Sequence, residues 1–143
     1  MPAIFHHELI VAEADIDILG HANNLSYMAW LQKAAVAHST AQGWSNEAYD
    51  RLGAGWVVRS HQIRYLRPAF AGDALVVVTW IGVAGRASST RRYKIIRPAD
   101  RTILVQAETN WAFISFETGA PMRVPDEVLQ SFPVAEEPEV FGE

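Results

Sequence analysis

The chain has 143 residues and a mass of 15.9 kDa, which is the size of one ordinary domain. Half of the residues are hydrophobic and 20% are charged, a composition typical of globular and not of disordered proteins. The absence of cysteine excludes disulfides, thiolate metal sites and a cysteine nucleophile. The net charge of −4 argues against a general nucleic-acid-binding protein.

Patterns of hydropathy and charge predict where the protein is located and what it binds. No apolar run reaches the roughly 18 residues of a membrane span, and residues 1–15 lack the pattern of a signal peptide. We therefore expect a soluble, cytoplasmic protein that binds neither nucleic acid nor membrane. Six of the 12 Lys and Arg residues fall within residues 86–101. Two interpretations are open for this cluster: a local site for a small polyanion, or a solvated strand face.

The first half of the chain predicts a strand, a turn and a long helix. Residues 4–13 favour a short strand, and the following residues 15–24 are rich in turn formers. Residues 25–42 contain neither Gly nor Pro and predict a helix that Gly43 ends. Residues 44–55 predict a second, short helix and a loop.

One side of the long helix is predicted to be buried. That side carries Tyr27, Trp30, Leu31, Ala34, Ala35 and His38. The opposite side still carries Met28 and Val36, so we expect a helix that the rest of the fold encloses.

Four longer segments downstream favour strands, because they are rich in Val, Ile, Thr, Trp and Tyr. They are residues 56–67, 73–84, 86–97 and 102–116. Their short connections favour antiparallel neighbours. The predicted class is α+β, with a five-stranded antiparallel sheet around one long helix, in a single domain over residues 1–132. Residues 126–131 predict a brief helix, and we expect residues 133–143 to form a mobile acidic tail.

Two motifs carry a resemblance to a known family. The first is Asp17-x-x-Gly20-His21-x-Asn23-Asn24-x-x-Tyr27, and the second is the stretch Tyr-Leu-Arg-Pro-Ala-Phe-Ala-Gly-Asp at residues 65–73. With the order of elements, these motifs resemble the hot-dog-fold acyl-CoA thioesterases of the 4-hydroxybenzoyl-CoA thioesterase family, over about residues 4–117.

The resemblance implies an activity and an assembly. The family hydrolyses thioesters of coenzyme A or of acyl carrier protein. It works as a homodimer or homotetramer with active sites at the subunit interface. No cofactor is implied beyond the coenzyme A that forms part of the substrate.

The resemblance also implies catalytic residues. It places the essential acid at Asp17, as nucleophile or general base, and both roles stay open. Asp15, two residues earlier, is the competing carboxylate. The backbone N–H of Asn24 is the implied oxyanion donor, since the N-terminus of a helix favours negative charge. His21 either orients water or only braces the loop.

One part of the resemblance fails. A plant acyl-carrier-protein thioesterase relative carries an Asn in the middle of this stretch, where this chain has Leu19. A serine-type mechanism has no support either, because the chain lacks G-x-S-x-G.

Basic residues near the predicted turn at Gly85 are candidates for the phosphates of coenzyme A. Arg86 is the first candidate, followed by Arg91 and Arg92, because guanidinium groups bind phosphate oxygens bidentately. The alternative for each is a solvated charge on a strand.

Five further residues are candidates for contacts with the substrate. They are Asn23, Tyr27, Trp30, Trp56 and His61. The alternative for Asn23 is a helix cap, for Tyr27 packing between helix and sheet, and for each tryptophan core packing. Trp44 is a further candidate for the acyl slot.

Other kinds of site and function are weighed against hydrolysis. The histidines lack metal-ligand spacing, so no metal is expected, and Gly82 to Gly85 does not form a dinucleotide-binding loop. His38 is expected to pack in the core or at its edge. Two alternative functions stay open: an acyl-CoA-binding module without catalysis, and a hot-dog hydratase or dehydratase.

Overall fold

The computed structural model describes residues 3–141. Five strands and three helices follow one another in the order expected from the sequence. They are β1 (Ile4–Ile10), α1 (Asn24–Ala41), α2 (Asn46–Leu52), β2 (Ala54–Tyr65), β3 (Ala74–Ala84), β4 (Ser88–Arg97), β5 (Thr102–Ser115) and α3 (Asp126–Leu129). Single 3-10 turns occupy Glu13–Asp15 and Pro98–Asp100.

The strands form one sheet in the order β1-β3-β4-β5-β2. Every neighbouring pair is antiparallel, which confirms the predicted five-stranded antiparallel sheet. The hairpins between β3 and β4 and between β4 and β5 are tight, as their short connections predict. β1 and β2 are the two edges, so one side of β2 offers unpaired backbone groups.

Helix α1 packs across one face of the sheet. Its buried residues are the six predicted from the sequence: Tyr27, Trp30, Leu31, Ala34, Ala35 and His38. Most of them join Leu75, Val77, Tyr93, Ile95 and Leu104 of the sheet in the main hydrophobic core. Burial of this stripe, more than intrinsic propensity, stabilises the helix.

The opposite side of α1 is not enclosed within one chain. Leu25 is 79% exposed, and Met28 and Val36 are about two-fifths exposed, at 39% and 41%. The prediction of a helix enclosed by its own fold is therefore wrong for a single chain. An open apolar strip of this kind is typical of a surface that another molecule covers.

The acidic tail is ordered against the sheet, so the prediction of a mobile tail is wrong for residues 133–141. Val134 forms a parallel bridge with Ile81, and the N–H of Ala135 donates to the carbonyl of Ile81 at 3.0 Å. Apolar tail residues pack on Val78, Trp80 and Ile96, on the face of the sheet away from α1; they are Ala135, Val140 and Phe141. Residues 142 and 143 lie outside the described residues.

The carboxylate of Glu137 lies 3.5 Å from Nζ of Lys94, an ion pair that joins the tail to β4. None of the helices within residues 3–141 combines the length and the hydropathy of a membrane span.

Candidate functional site

The two sequence motifs lie against each other in the structure. The N–H of Ala22 donates to the carbonyl of Ala69 at 2.9 Å, and the N–H of Ala69 donates to the hydroxyl of Tyr27 at 3.1 Å. The His21 ring meets the Phe70 ring edge-on, with centroids 5.4 Å apart. Residues 15–27 and 65–73 therefore form one unit at the N-terminal end of α1.

Arg97 anchors the second motif through hydrogen bonds from its side chain. Its Nη1 donates to the Asp73 carboxylate at 2.9 Å and to the carbonyl of Pro68 at 3.3 Å, while Asp100 accepts from its Nε and Nη2. Hydrogen bonds from Arg97 lower the pKa of the Asp100 carboxyl, and hydrogen bonds to Asp100 raise the pKa of Arg97. The loop is thus held at both of its ends.

Asp15 is a bracing residue. One carboxylate oxygen accepts from the hydroxyl of Ser26 at 2.7 Å, and the other accepts from the N–H of Ala12 at 2.9 Å. Its carbonyl accepts from both the backbone N–H and the side-chain amide of Asn23. These bonds attach the turn before α1 to the first turn of the helix.

Asp17, in contrast, faces solvent. It lies in a tight turn closed by the antiparallel bridge between Ile16 and Ala22. Its Oδ1 accepts from the N–H of Leu19 at 2.8 Å, and Gly20 completes the turn with a φ of 83°. A side chain here would be strained in that backbone conformation, which explains the glycine. The carboxylate of Asp17 is therefore accessible from solvent.

The N-terminus of α1 offers free donors beside this turn. Asn23 caps the helix, since its Oδ1 accepts from the N–H of Ser26 at 2.8 Å. No group in residues 3–141 accepts from the N–H of Asn24, the first helical residue. Free N–H groups and the dipole of an 18-residue helix favour an anion at this position.

Three other candidates, two in the first motif and one just after it, pack on neighbouring rings or in the core. Tyr27 is 3% exposed and its ring meets the rings of Trp30 and Tyr65 edge-on, so it joins helix and sheet. Trp30 lies in the main core and is not part of a cavity wall. His21 is exposed and lies on Phe70, close to the turn but without a hydrogen bond to the carboxylate of Asp17.

A cavity of about 260 Å³ lies at the other end of α1, between α1, α2 and the beginning of β2. Trp44 and Trp56, two candidates for the acyl slot, both line it. Trp56 donates from Nε1 to the hydroxyl of Tyr49 at 3.1 Å, and Trp44 stacks on the Tyr49 ring. His61 does not reach the cavity; its Nδ1 lies 2.8 Å from Oγ1 of Thr109 on β5.

The three basic candidates lie in three different environments. Arg86 is exposed and lines a groove beside α3, together with Arg123, which sequence reasoning missed. Arg92 is half-exposed on the face of the sheet away from α1, 3.6 Å from Glu108.

Arg91 does not lie where the sequence analysis placed it. It is 4% exposed and lines the inner wall of the cavity. Neither a surface phosphate contact nor a solvated strand charge fits this position. The alternation of β4 places Arg91 on one face with Ser89, Tyr93 and Ile95, and that signal was available in the sequence.

Comparisons with known proteins agree with the fold and the paired motifs. A model of the thioesterase-like superfamily matches residues 11–132. The chain belongs to the thioesterase-like superfamily. This membership confirms the family that the two motifs indicated.

Individual relatives of this thioesterase-like protein are distant. It is 26% identical over 132 residues to a chloroplastic acyl-[acyl-carrier-protein] hydrolase of Cuphea viscosissima, covering 88% of this chain and 32% of that protein. The chain thus spans about a third of the length of the plant enzyme.

Solved structures show the hot-dog fold. A 1,4-dihydroxy-2-naphthoyl-CoA thioesterase from Synechocystis superposes with a TM-score of 0.82 at 20% identity, covering 90% of this chain and 94% of that one. A probable thioesterase from Bartonella henselae gives a TM-score of 0.78 at 25% identity, covering 86% of this chain and all of that one. The predicted fold is confirmed.

The candidate residues of the thioesterase-like chain occupy opposite ends of its sheet. Asp17 and Asn24 lie beside residues 65–73, which precede β3, whereas Arg86 follows β3. Ten residues of strand span about 33 Å. The cavity lies at the Arg86 end, because the carbonyl of Ala87 accepts from Phe113, which pairs with Trp56. A single chain therefore does not bring Asp17 next to its own cavity.

Proposed function

We propose that this protein is an acyl thioesterase that hydrolyses acyl-CoA, or the same thioester on acyl carrier protein, with Asp17 as its catalytic carboxylate. One observation carries the proposal: the exposed carboxylate of Asp17 and the unpaired N–H of Asn24 lie on one braced turn at the start of α1. Hydrolysis of a thioester requires such a pair, an activating carboxylate and a donor for the oxyanion.

The chemistry follows from these two groups. As a general base, Asp17 takes a proton from water while the water oxygen attacks the thioester carbonyl carbon. As a nucleophile, Asp17 attacks the same carbon itself, and water then hydrolyses the resulting anhydride. In both routes the N–H of Asn24 stabilises the oxyanion, and the C–S bond breaks to release the thiol and the carboxylic acid.

Substrate contacts are proposed at the other end of the sheet. Arg86 and Arg123 line one groove, where two guanidinium groups suit the phosphates of coenzyme A. Trp44 and Trp56 line the nearby cavity, whose apolar walls suit an acyl group.

We propose that a dimer brings the turn with Asp17 of one chain next to the cavity of the other chain. The free edge of β2 begins at Ala54 beside the cavity and ends at Tyr65, whose ring meets Tyr27 of the first motif. Antiparallel pairing of two such edges about a twofold axis near Arg59 places the Tyr65 end of one chain beside the Ala54 end of the other. Asp17 of one subunit then faces the cavity of its partner, so we propose a homodimer with two shared sites.

The assembly is testable by sedimentation. We expect a dimer at micromolar concentration, and the substitution Val58→Glu at the free edge of β2 is expected to give monomers without activity. The apolar side chain of Val58 is 37% exposed in one chain. A wild-type protein that is monomeric and active contradicts the shared site.

The activity is tested by thiol release from a panel of short, medium, long and aromatic acyl-CoAs. Because the chain has no cysteine, any thiol that the reagent detects comes from the product. Turnover of at least one thioester, with formation of the free acid, supports the proposal. Tight binding of acyl-CoA without turnover on CoA or carrier-protein substrates contradicts it and favours a binding module.

A further inference from the structure

The cavity near the C-terminal end of α1 has an aromatic lining. Six of its wall residues carry aromatic rings: Trp44, Tyr49, Trp56, Trp111, Phe116 and Phe132. Its volume of about 260 Å³ has room for roughly nine groups of the size of a water molecule. A short acyl group fits this space, whereas the nucleotide of coenzyme A exceeds it.

A buried cation forms part of this apolar wall. Arg91 lines the cavity and is 4% exposed. Its Nη1 donates to Nδ1 of His38 at 2.9 Å and to Oγ1 of Thr79 at 3.0 Å. Both acceptors are neutral, and no carboxylate in residues 3–141 lies within ion-pairing distance of Arg91.

The charge of Arg91 is therefore uncompensated in an apolar environment. Burial lowers the pKa of Arg91, which reflects the cost of removing a cation from water. Asp50 of α2 lines the cavity but is exposed, so water screens its charge. An anion that entered the cavity would compensate the guanidinium, since no carboxylate of the described residues does.

The N–H groups of Arg91 that have no acceptor among the described residues indicate which kind of anion would bind. Only Nη1 takes part in the hydrogen bonds above, so Nε and Nη2 have no acceptor among the described residues. A guanidinium binds a carboxylate through two parallel N–H bonds. A methyl group at this position gives neither donor an acceptor, whereas a carboxylate replaces the hydrogen bonds that both donors make to water.

We propose that Arg91 selects acyl groups whose far end is a carboxylate, so that the preferred substrates are thioesters of short dicarboxylic acids. The apolar walls contact the methylene chain, and Arg91 binds the terminal carboxylate. The selectivity for thioesters rests on the proposed function; the anion site itself does not.

Kinetics with two matched thioesters test the selectivity. Adipoyl-CoA and hexanoyl-CoA have the same carbon number and differ in the terminal carboxylate. We expect wild type to favour adipoyl-CoA by at least about tenfold in kcat/KM, because an unmet buried hydrogen-bonding group rejects the analogue that lacks its partner. Arg91→Met is expected to reverse the order, and Arg91→Lys to retain part of the preference.

Arg92→Met is the matched control on the same strand. Arg92 lies on the opposite face of the sheet, so any change in coenzyme A binding affects both thioesters alike. The ratio of the two kcat/KM values is expected to stay at the wild-type value. Equal kcat/KM values for the two thioesters in wild type overturn the proposal.

A binding measurement on wild type needs neither catalysis nor a variant. Three of the five tryptophans line the cavity, so its occupation changes the intrinsic fluorescence. We expect a saturable change with hexanoate and none with hexan-1-ol, which has the same chain without the charge. Equal responses to both compounds overturn the anion site. Binding of hexanoate by a protein that hydrolyses no thioester supports the anion site and rejects the proposed function.

Discussion

Asp15 and Asp17 are two residues apart and have opposite surroundings. Asp15 accepts from the N–H of Ala12 and the hydroxyl of Ser26, so its carboxylate holds the turn against α1. Asp17 accepts one local bond from Leu19 and otherwise faces solvent. The sequence motif alone selected Asp17, and the hydrogen bonds explain why its neighbour serves structure.

Replacing Asp15 by Ala is therefore expected to destabilise the fold. It removes the acceptor of one partly buried donor, the hydroxyl of Ser26, and of one exposed donor, the N–H of Ala12, which costs about 1–3 kcal/mol in the free energy of unfolding. Asp17→Ala is expected to change that free energy by less than about 0.5 kcal/mol, as at an exposed site. Urea denaturation of both variants measures the difference. A larger loss from Asp17→Ala than from Asp15→Ala contradicts the assigned roles.

Elements near the site were predictable to different degrees. The prediction of the buried face of α1 is correct at every residue, because apolar residues that recur with a 3.6-residue period over five turns are a strong signal. The open face of α1 was wrong, since its apolar residues are covered by no element of the same chain. Arg91 was placed wrongly because its charge was given more weight than the alternation of β4. The tail was predicted wrongly because its glutamates were given more weight than its apolar residues, three of which pack on the sheet.

In the proposed mechanism, the cap of α1 contributes both to helix stability and to catalysis. Asn23→Ala is expected to cost about 1 kcal/mol of unfolding free energy, the usual value for a lost N-cap. It is also expected to lower kcat, because it releases the helix end that presents the N–H of Asn24.

Ser45→Ala supplies the control for this comparison, since Ser45 caps α2 through the N–H of Ala48. We expect a similar loss of unfolding free energy and a smaller loss of kcat. A kcat for Asn23→Ala that equals the kcat of Ser45→Ala contradicts the role of the α1 terminus.

At the scale of the whole molecule, the tail covers a face of the sheet. Trp80 and Ile96 are almost fully buried there, beneath Ala135, Val140 and Phe141. Ending the chain after Phe132 is expected to cost about 2 kcal/mol or more, because it exposes large apolar side chains. Chemical denaturation and binding of a hydrophobic dye report the change. An unchanged unfolding free energy contradicts the ordered tail.

The response to high pH is also a property of the whole molecule. Burial raises the pKa of all four tyrosines: Tyr27, Tyr49, Tyr65 and Tyr93. Unfolded tyrosines ionise near pH 10, while the folded ones keep their protons to higher pH. The unfolding free energy is therefore expected to be insensitive to these groups below about pH 10 and to fall above it.

Urea denaturation at several pH values from about 8 to about 11 follows this decline. The variant Tyr93→Phe removes the contribution of one buried hydroxyl, so its stability is expected to fall less steeply. A variant with the same slope as wild type contradicts the contribution of Tyr93.

The complete site could not be predicted from one sequence. The two motifs identified the turn and the start of the helix, which are close in sequence. The contact between the motifs, through backbone hydrogen bonds, is visible only in the structure. The motifs did not show that the cavity and Arg86 lie at the far end of the sheet from Asp17. That separation depends on the strand order, and it is the reason that we propose a site built from two chains.

The rate of thiol release by Asp17→Asn, on the best acyl-CoA of the panel, tests the central claim most directly. We expect kcat to fall about 10²–10⁴-fold, while the free energy of unfolding and the dimeric state stay as in wild type. A variant that retains kcat within a few-fold of wild type contradicts the assignment of Asp17 and the mechanism built on it.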